Sequence, residues 1–216
     1  SVDLAAPGEN ILGADVTREL FSQETFDDGI LVAGWSSDCD GTCDNRNTWQ
    51  YVCPGFPGID NWATDSYTQS GFFFDDWDYQ PDTTVDFNSP ALPMPVTGAG
   101  LEFRVWQDLA AGDFLLAEGS GDGGTTWSLL PNLPPFVEGR SEFPIPFENT
   151  ETGSVVSADL SEFDDLSSAK LRFRLVSDGE AEATGIFIDD VTITQVAALD
   201  PENPEYAFVS GTSSAA

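Results

Sequence analysis

The sequence has no histidine and only seven basic side chains against 38 acidic ones, so the formal net charge is −31. Without histidine the chain cannot complete a Ser-His or Cys-His catalytic pair, or a histidine-metal site, from its own residues. A field this negative repels phosphates, which excludes nucleic acid as a partner. We therefore expect no catalysis by this chain unaided.

Long apolar runs are missing too. No stretch of 18 apolar residues is present, so no membrane span is predicted. The first residues lack the charged start and apolar stretch of a signal peptide, and we expect an internal fragment of a longer protein. The carboxylates suit either high salt, which screens their repulsion, or calcium-rich seawater. Both settings predict a secreted, extracellular protein.

Cysteine is scarce and confined to one short segment, at Cys39, Cys43 and Cys53. One disulfide and one spare thiol is the arrangement expected in an oxidising compartment, with a loop-stapling role. The spacing leaves the connectivity open. Zinc would need a fourth ligand, and no histidine can supply it.

What the sequence does contain is the pattern of an all-β domain. Hydrophobic residues make up 40% of the chain and aromatic residues 12%, enough for a folded core. Residues 101–106 and 170–175 alternate between apolar and polar, as half-buried strands do. Further strand candidates are Ile30–Val32, Trp49–Val52, Gly71–Phe74, Phe114–Ala117, Ser154–Ala158 and Gly185–Thr194. Helical signals are confined to one turn within Ser161–Ser168. The pattern predicts an antiparallel β-sandwich or jelly roll.

The two ends differ from the β pattern. Residues 2–12 (VDLAAPGENIL) resemble the V-D-L-A-A-P-G-x-x-I segment of subtilisin-like serine proteases, and residues 206–216 (YAFVSGTSSAA) resemble that family's Y-x-x-x-S-G-T-S-M-A-A/T nucleophile motif. In the family the two segments are neighbours joined by a short hairpin loop. We therefore expect Ile11-Leu12 and Ala207-Phe208 to pair as antiparallel strands. The chain departs from the motif at Ser214, where Met is usual, and stops before the expected Pro-His.

This resemblance implies a parent serine endopeptidase with Ser213 as its nucleophile, while composition alone favours a disordered tail there. The family's Asp, His and oxyanion-hole Asn lie upstream of residue 1, so the isolated chain is expected to be inactive. The implied organisation is a core segment of the α/β subtilase catalytic domain at 1–16, a jelly-roll insert at 17–200 and a second core segment at 201–216. The implied partners are the remainder of the catalytic domain and a protein substrate.

The interior carries two further resemblances. Residues 120–127 (SGDGGTTW) fit the Asp-box pattern S-x-D-x-G-x-T-W, which predicts a hairpin turn bonded by Asp122 and Thr126 with Trp127 packed beneath. Residues 171–179 and 185–193 resemble the ending of jelly-roll modules similar to MAM and carbohydrate-binding domains. We also expect Arg104, Arg172 and Arg174 to form one outward stripe paired with acidic residues.

Two acidic segments are candidate calcium sites. Asp189 and Asp190 end a buried strand, where adjacent carboxylates repel and a cation relieves them. In the resembled modules calcium bridges the final strand to the first, and the N-terminal ligands here would come from Glu24, Asp27 or Asp28. The alternative is solvated carboxylates. A weaker candidate is the loop with Asp38, Asp40 and Asp44, which otherwise forms a disulfide-closed turn.

Two classes of function follow. The first is an accessory insert of a secreted subtilisin-like endopeptidase, stabilised by calcium, that aids substrate binding or access to the cleft. The alternative is a non-enzymatic jelly-roll module that binds a polysaccharide or a protein. Trp77 and Tyr79 are candidate platform residues for it, and the other interpretation is that these aromatic side chains cap the core. A purely structural spacer is the third possibility.

Overall fold

A computed structural model describes residues 11–14, 18–26, 34–40, 49–52, 62–64, 78–92, 98–141, 154–164, 166–181, 183–196 and 206–209. In these ranges the chain is all-β, as expected, and the helical element is a single 3₁₀ turn at Ser161–Phe163. No helix in these ranges is long and apolar enough to cross a membrane. The strands are β1 Ile11–Ala14, β2 Arg18–Glu24, β3 Ser36–Cys39, β4 Gln50–Val52, β5 Trp62–Thr64, β6 Thr84–Asn88, β7 Gly100–Leu109, β8 Phe114–Ser120, β9 Ser128–Leu129, β10 Gly139–Arg140, β11 Ser154–Asp159, β12 Lys170–Val176, β13 Gly185–Val196 and β14 Tyr206–Val209.

The chain divides into two compact units. The first comprises Ser1–Glu19 and Val196–Ala216, and the second comprises Leu20–Gln195. In the first unit β1 pairs with β14 in antiparallel register, with Leu12 opposite Phe208. The predicted pairing of the two ends is therefore confirmed.

The second unit is a sandwich of two antiparallel sheets. In the described part of the chain, one sheet has seven strands in the order β10-β7-β13-β5-β4, with β11 added beside β7 and β2 beside β13. The other sheet has five strands in the order β3-β6-β12-β8-β9. The predicted β-sandwich is confirmed.

Alternating apolar residues of both sheets form the core between them. On β7, Phe103 is fully buried, and its ring centroid lies 5.0 Å from that of Phe173 on β12. Trp35 extends this contact, with its ring 4.6 Å from Phe87 and edge-on to Phe26 at 5.5 Å. Each aromatic pair of this kind adds about 1 kcal/mol beyond its buried area. Contacts between aromatic side chains thus hold the two sheets together in the core.

Several local predictions can be compared with the strands. The one-turn helix is confirmed at Ser161–Phe163, and Cys39 is disulfide-bonded, as expected for this segment. The candidate strands Ile30–Val32 and Gly71–Phe74, like Cys43 and Cys53, lie outside the described residues. Strands that the pattern did not indicate are β2, β3, β5, β6, β9 and β10.

Candidate functional site

Several predicted site residues lie outside the described residues. These are the candidate nucleophile Ser213 and the candidate calcium ligands Asp27, Asp28 and Asp44. The structure does place Glu24, Asp189, Asp190, Asp38 and Asp40.

The acidic pair on β13 lies at a β-bulge. Pairing between β13 and β7 runs regularly from Gly185 to Asp189, then shifts and resumes at Thr192. Within the bulge Asp190 has a φ of 50°, a left-handed conformation that aspartate tolerates better than most residues. A bulge changes the direction of the side chain it carries.

That side chain is held by two neighbouring strands. Oδ2 of Asp190 accepts a hydrogen bond of 2.9 Å from Nε of Arg104 on β7, and Oδ1 accepts one of 3.2 Å from Nε2 of Gln23 on β2. The bulge thus joins three adjacent strands through one carboxylate. The alternation of apolar and polar residues cannot predict this contact, because Gln23, Arg104 and Asp190 are far apart in sequence.

The predicted calcium ligands are only partly brought together. Asp189 is 0% exposed on β13, and β2, which carries Glu24, is hydrogen-bonded to that strand. However, Asp190 is already paired with Arg104, and the Glu24 carboxylate accepts a 2.7 Å hydrogen bond from the backbone N–H of Phe26. No group of three or more metal-ligating side chains is found in the part of the chain that the structure describes. Calcium at this place stays a prediction.

The weaker candidate loop begins on β3. Oδ1 of Asp38 accepts a 2.9 Å hydrogen bond from the backbone N–H of Cys39, and the backbone N–H of Asp40 donates to the carbonyl oxygen of Thr84 at 3.0 Å. Both carboxylates lie at the surface. These bonds stabilise the end of β3, and they do not test calcium binding.

A shallow cavity of about 100 Å³ lies around the Arg104–Asp190 pair, and we call it the Arg104 depression. It lies on the outer face of the seven-stranded sheet, since Glu102 and Arg104 alternate along β7 with core-facing residues. Its lining residues are Gln23, Glu102, Phe103, Arg104, Val155, Asp190 and Thr192.

The Arg104 depression has unused hydrogen-bonding capacity. The side chain of Arg104 is 28% exposed. Its Nε donates to Asp190, while its two terminal amino groups have no hydrogen-bond partner among the described residues. Glu102, two residues earlier on the same face, carries an exposed carboxylate. Donors and an acceptor therefore lie side by side on an open sheet surface.

The outer face of the five-stranded sheet is different. Arg172 on β12 is 7% exposed and binds Glu118 at 2.6 Å and Asp86 at 3.3 Å. Arg174 donates to both carboxylate oxygens of Asp86, at 2.6 Å and 2.7 Å, and these hydrogen bonds raise the pKa of its guanidinium. The ring of Trp127 covers Arg172, with Cζ 4.3 Å from the ring centroid.

The predicted arginine stripe is therefore only half right. Arg172 and Arg174 share one face of β12 and are paired with acid, as expected, but Arg104 belongs to the other sheet. The alternation of β7 resembles that of β12, and only long-range pairing assigns the two strands to different sheets.

The Asp box forms the predicted turn. Asp122 accepts hydrogen bonds from the backbone and the hydroxyl of Thr126, both at 2.8 Å, and a further one from Ser120, and these bonds lower its pKa to about 2. Nε1 of Trp127 donates to the carbonyl oxygen of Gly124 at 3.0 Å, which holds the ring over Arg172. The turn thus places Trp127 as a cover over the ion pairs that Arg172 forms with Glu118 and Asp86.

The proposed platform residue Tyr79 is 1% exposed. Its hydroxyl donates to the buried carboxylate of Asp113 and accepts from the backbone N–H of Ala110. A buried ring cannot stack on a ligand, so the platform prediction is wrong for Tyr79. Trp77 lies outside the described residues.

No protein-family model matches the chain, and no curated protein matches it either. Among solved structures, the K3 cleaved adhesin domain of Lys-gingipain from Porphyromonas gingivalis is similar, with a TM-score of 0.52 and 20% identity over 82% of this chain and 99% of that chain. The K1 domain of the same protein gives a TM-score of 0.48 and 20% identity over 84% and 99%. A carbohydrate-binding module that recognises mannan gives a TM-score of 0.43 and 14% identity over 84% of this chain and 99% of that chain. The K3 comparison shows the jelly-roll-like β-sandwich fold.

Proposed function

We propose that the β-sandwich is a non-enzymatic, extracellular binding module that holds a neutral, polyhydroxylated ligand in the Arg104 depression. The observation that carries the proposal is the arrangement there: a guanidinium fixed by Asp190, which is itself held by Gln23, with terminal amino groups that have no hydrogen-bond partner among the described residues and lie beside Glu102. The ligand class that this chemistry favours is a polysaccharide.

The Arg104 depression offers both hydrogen-bond donors and an acceptor to a ligand. Vicinal hydroxyl groups both donate and accept, so one sugar ring can accept from Arg104 and donate to Glu102 at once. The cavity of about 100 Å³ has room for about three water molecules, or the equivalent hydroxyl groups of a sugar ring. Replacing ordered water by hydroxyls that reproduce its hydrogen bonds keeps affinity.

The charge of the protein restricts the class of ligand further. The net charge of −31 repels anions such as phosphates and uronates. A cation would meet the positive guanidinium of Arg104, which lies 2.9 Å from Asp190. A neutral polyol avoids both costs.

The test is affinity electrophoresis of the chain through gels that contain neutral soluble polysaccharides, namely mannan, galactan, xylan and β-glucan. The variant is Arg104→Gln, and the matched control is Arg174→Gln, which makes the same charge change on the other sheet. We expect retardation by at least one polysaccharide, at least tenfold weaker in Arg104→Gln because charge-assisted hydrogen bonds contribute about 1.5–3 kcal/mol each. Retention within twofold is expected for Arg174→Gln.

Two results would contradict the proposal. One is no retardation by any of the four polysaccharides. The other is an equal loss in both variants, because that would assign the effect to net charge rather than to the depression.

A second candidate function is supported by the pairing of the two ends. We propose that the sandwich is inserted in the hairpin that precedes the nucleophile of a subtilisin-like endopeptidase, with Ser213 as the nucleophile. The antiparallel register of β1 with β14, Leu12 opposite Phe208, is the arrangement that the hairpin requires. The module would then carry its ligand site to the protease, and substrate capture is the role that this placement favours.

The test uses the full-length gene product and a fluorophosphonate probe, which labels activated serines. Labelling of the wild type that is lost in Ser213→Ala, while Ser210→Ala is still labelled, is the expected result. Undiminished labelling of Ser213→Ala, or none of the wild type, would contradict the assignment. The isolated chain should stay unlabelled, since a serine without a base is a weak nucleophile.

A further inference from the structure

Strand β2 forms an edge whose charged residues lie only at its two ends, so that its middle carries none of the usual protection. Within the described residues it pairs with β13 alone, so its other side has no strand partner there. Edge strands are normally blunted by lysine, proline, charge or a bulge, because a bare edge accepts another strand. The stretch 20–23 (Leu-Phe-Ser-Gln) contains neither charge nor proline, and Leu20 is 61% exposed.

A second cavity, of about 260 Å³, lies along this strand, and we call it the β2 cleft. Residues 22–24 of β2 form one wall, and residues 89–92 after β6 form the opposite wall. The floor is apolar, with the buried side chains of Trp35, Val191 and Ile193. It therefore opens between the two sheets at the bare edge.

The walls of the β2 cleft are preformed. Opposite β2, the backbone N–H groups of Ser89 and Leu92 donate to the carbonyl oxygens of Leu171 and Ala169, at 2.9 Å and 2.8 Å. On the β2 side, one oxygen of Glu24 accepts from the N–H of Phe26, and the other oxygen has no hydrogen-bond partner among the described residues. The cleft thus combines a fixed apolar floor with an acidic rim, as ligand sites commonly do.

We propose that the β2 cleft binds an extended, basic peptide segment of a partner protein, which adds a strand to β2 and inserts one apolar side chain into the cleft. Strand addition uses the backbone groups of the bare edge, and alternate side chains of the added strand point to one face. The apolar floor takes one of these, and Glu24 attracts a neighbouring lysine or arginine.

Charge also decides between possible occupants. Two copies of a chain with a net charge of −31 repel each other, which disfavours the edge-to-edge dimer that a bare strand otherwise permits. A basic segment is attracted by the same field. This site is separate in ligand class from the Arg104 depression, although Gln23 lies beside both.

The experiment titrates the whole 216-residue chain with the peptide acetyl-KVKVKVK-amide, followed by backbone amide NMR shifts and calorimetry. The first comparison peptide is the same sequence N-methylated at alternate residues, which keeps the charge but removes the donors for strand pairing. The second is acetyl-EVEVEVE-amide. We expect shifts confined to β2 and the cleft residues, and binding at least tenfold weaker for both comparison peptides.

Variants of the protein test the place. Ser22→Lys puts a positive charge on the bare edge, and Ser36→Lys makes the same change on β3, at the edge of the five-stranded sheet. Binding of the lysine-valine peptide should weaken at least tenfold in the first variant and stay within twofold in the second. Arg104→Gln should leave it unchanged, which separates this proposal from the polysaccharide site.

Absence of binding would overturn the proposal. Two further results would overturn it: an N-methylated peptide that binds as tightly as the unmethylated one, or binding that weakens as much in Ser36→Lys as in Ser22→Lys. Both would indicate nonspecific attraction to an acidic surface. Displacement of the peptide by neutral polysaccharide would assign the cleft to a sugar and reject the peptide.

Discussion

The outer faces of the two sheets use the same chemical pair in opposite ways. On the five-stranded sheet Arg172 is covered by Trp127 and bound to two carboxylates, so its charge is buried and its hydrogen bonds are spent inside the protein. On the seven-stranded sheet Arg104 is bound by one carboxylate at a bulge, its side chain is 28% exposed, and its two terminal amino groups have no hydrogen-bond partner among the described residues. The arginine–aspartate pair is therefore covered and fully hydrogen-bonded on one sheet and partly exposed on the other, and the proposed ligand site uses the exposed pair.

The largest effect is expected from breaking the closed network. Arg172→Leu leaves the largely buried carboxylate of Glu118 without its cation and leaves Asp86 with Arg174 alone, which should cost about 3 kcal/mol of unfolding free energy. The matched change on the open face, Arg104→Leu, should cost less than about 1 kcal/mol, because exposed pairs contribute little. Urea unfolding measures both. Equal costs would show that the two faces do not differ as described.

The second largest effect is expected from removing the ring of Trp127 that covers Arg172. Trp127→Ala removes the ring over Arg172 and a hydrogen bond to Gly124, and we expect a loss of about 1.5 kcal/mol in urea unfolding. Trp127→Phe keeps an aromatic face and should lose about half as much. An unchanged stability in Trp127→Ala would mean that the ring does not shield the network.

Calcium binding is a further way to test how the two sheets differ. The buried carboxylate of Asp189 lies on β13 of the seven-stranded sheet, and a calcium ion bound there at ten times its Kd should add about 1.4 kcal/mol of stability. Thermal unfolding in calcium is compared with sodium chloride of equal ionic strength, because salt also screens the net charge. Asp189→Asn should abolish the calcium-specific part, and Asp38→Asn should keep it. A calcium response in Asp189→Asn would reject this site.

The smallest effect concerns the Asp box. The pKa of Asp122 is lowered from 3.8 to about 2 by hydrogen bonds from Thr126 and Ser120, so its ionised form is favoured in the folded state. This contribution is fully present above pH 4 and is lost as the pH falls towards 2. The stability difference between the wild type and Asp122→Asn should therefore shrink from pH 5 to pH 2.5. A constant difference across that range would contradict the assignment.

Local pattern predicted much of the sandwich. The alternation at 101–106 and 170–175 became the central strands β7 and β12, the Asp box formed its turn, and the end segments paired in the expected direction. These features depend on residues close in sequence or on a motif that keeps its geometry. That is why they could be predicted from the sequence.

The candidate site was less predictable for a physical reason. Gln23, Arg104 and Asp190 meet because three strands distant in sequence become neighbours, and because a bulge gives Asp190 a φ of 50°. Neither long-range register nor a positive φ at a non-glycine residue has a clear local signal. Strand β2 was missed since its adjacent apolar residues Leu20 and Phe21 do not alternate with polar ones.

The most direct test of the open-face account is NMR of the arginine Nε–Hε resonances while a retarding polysaccharide is added. We expect the resonance of Arg104 to shift in a saturable way while those of Arg172 and Arg174 stay in place. Shifts at Arg172 or Arg174 without one at Arg104, or no shift at saturating polysaccharide, would contradict it.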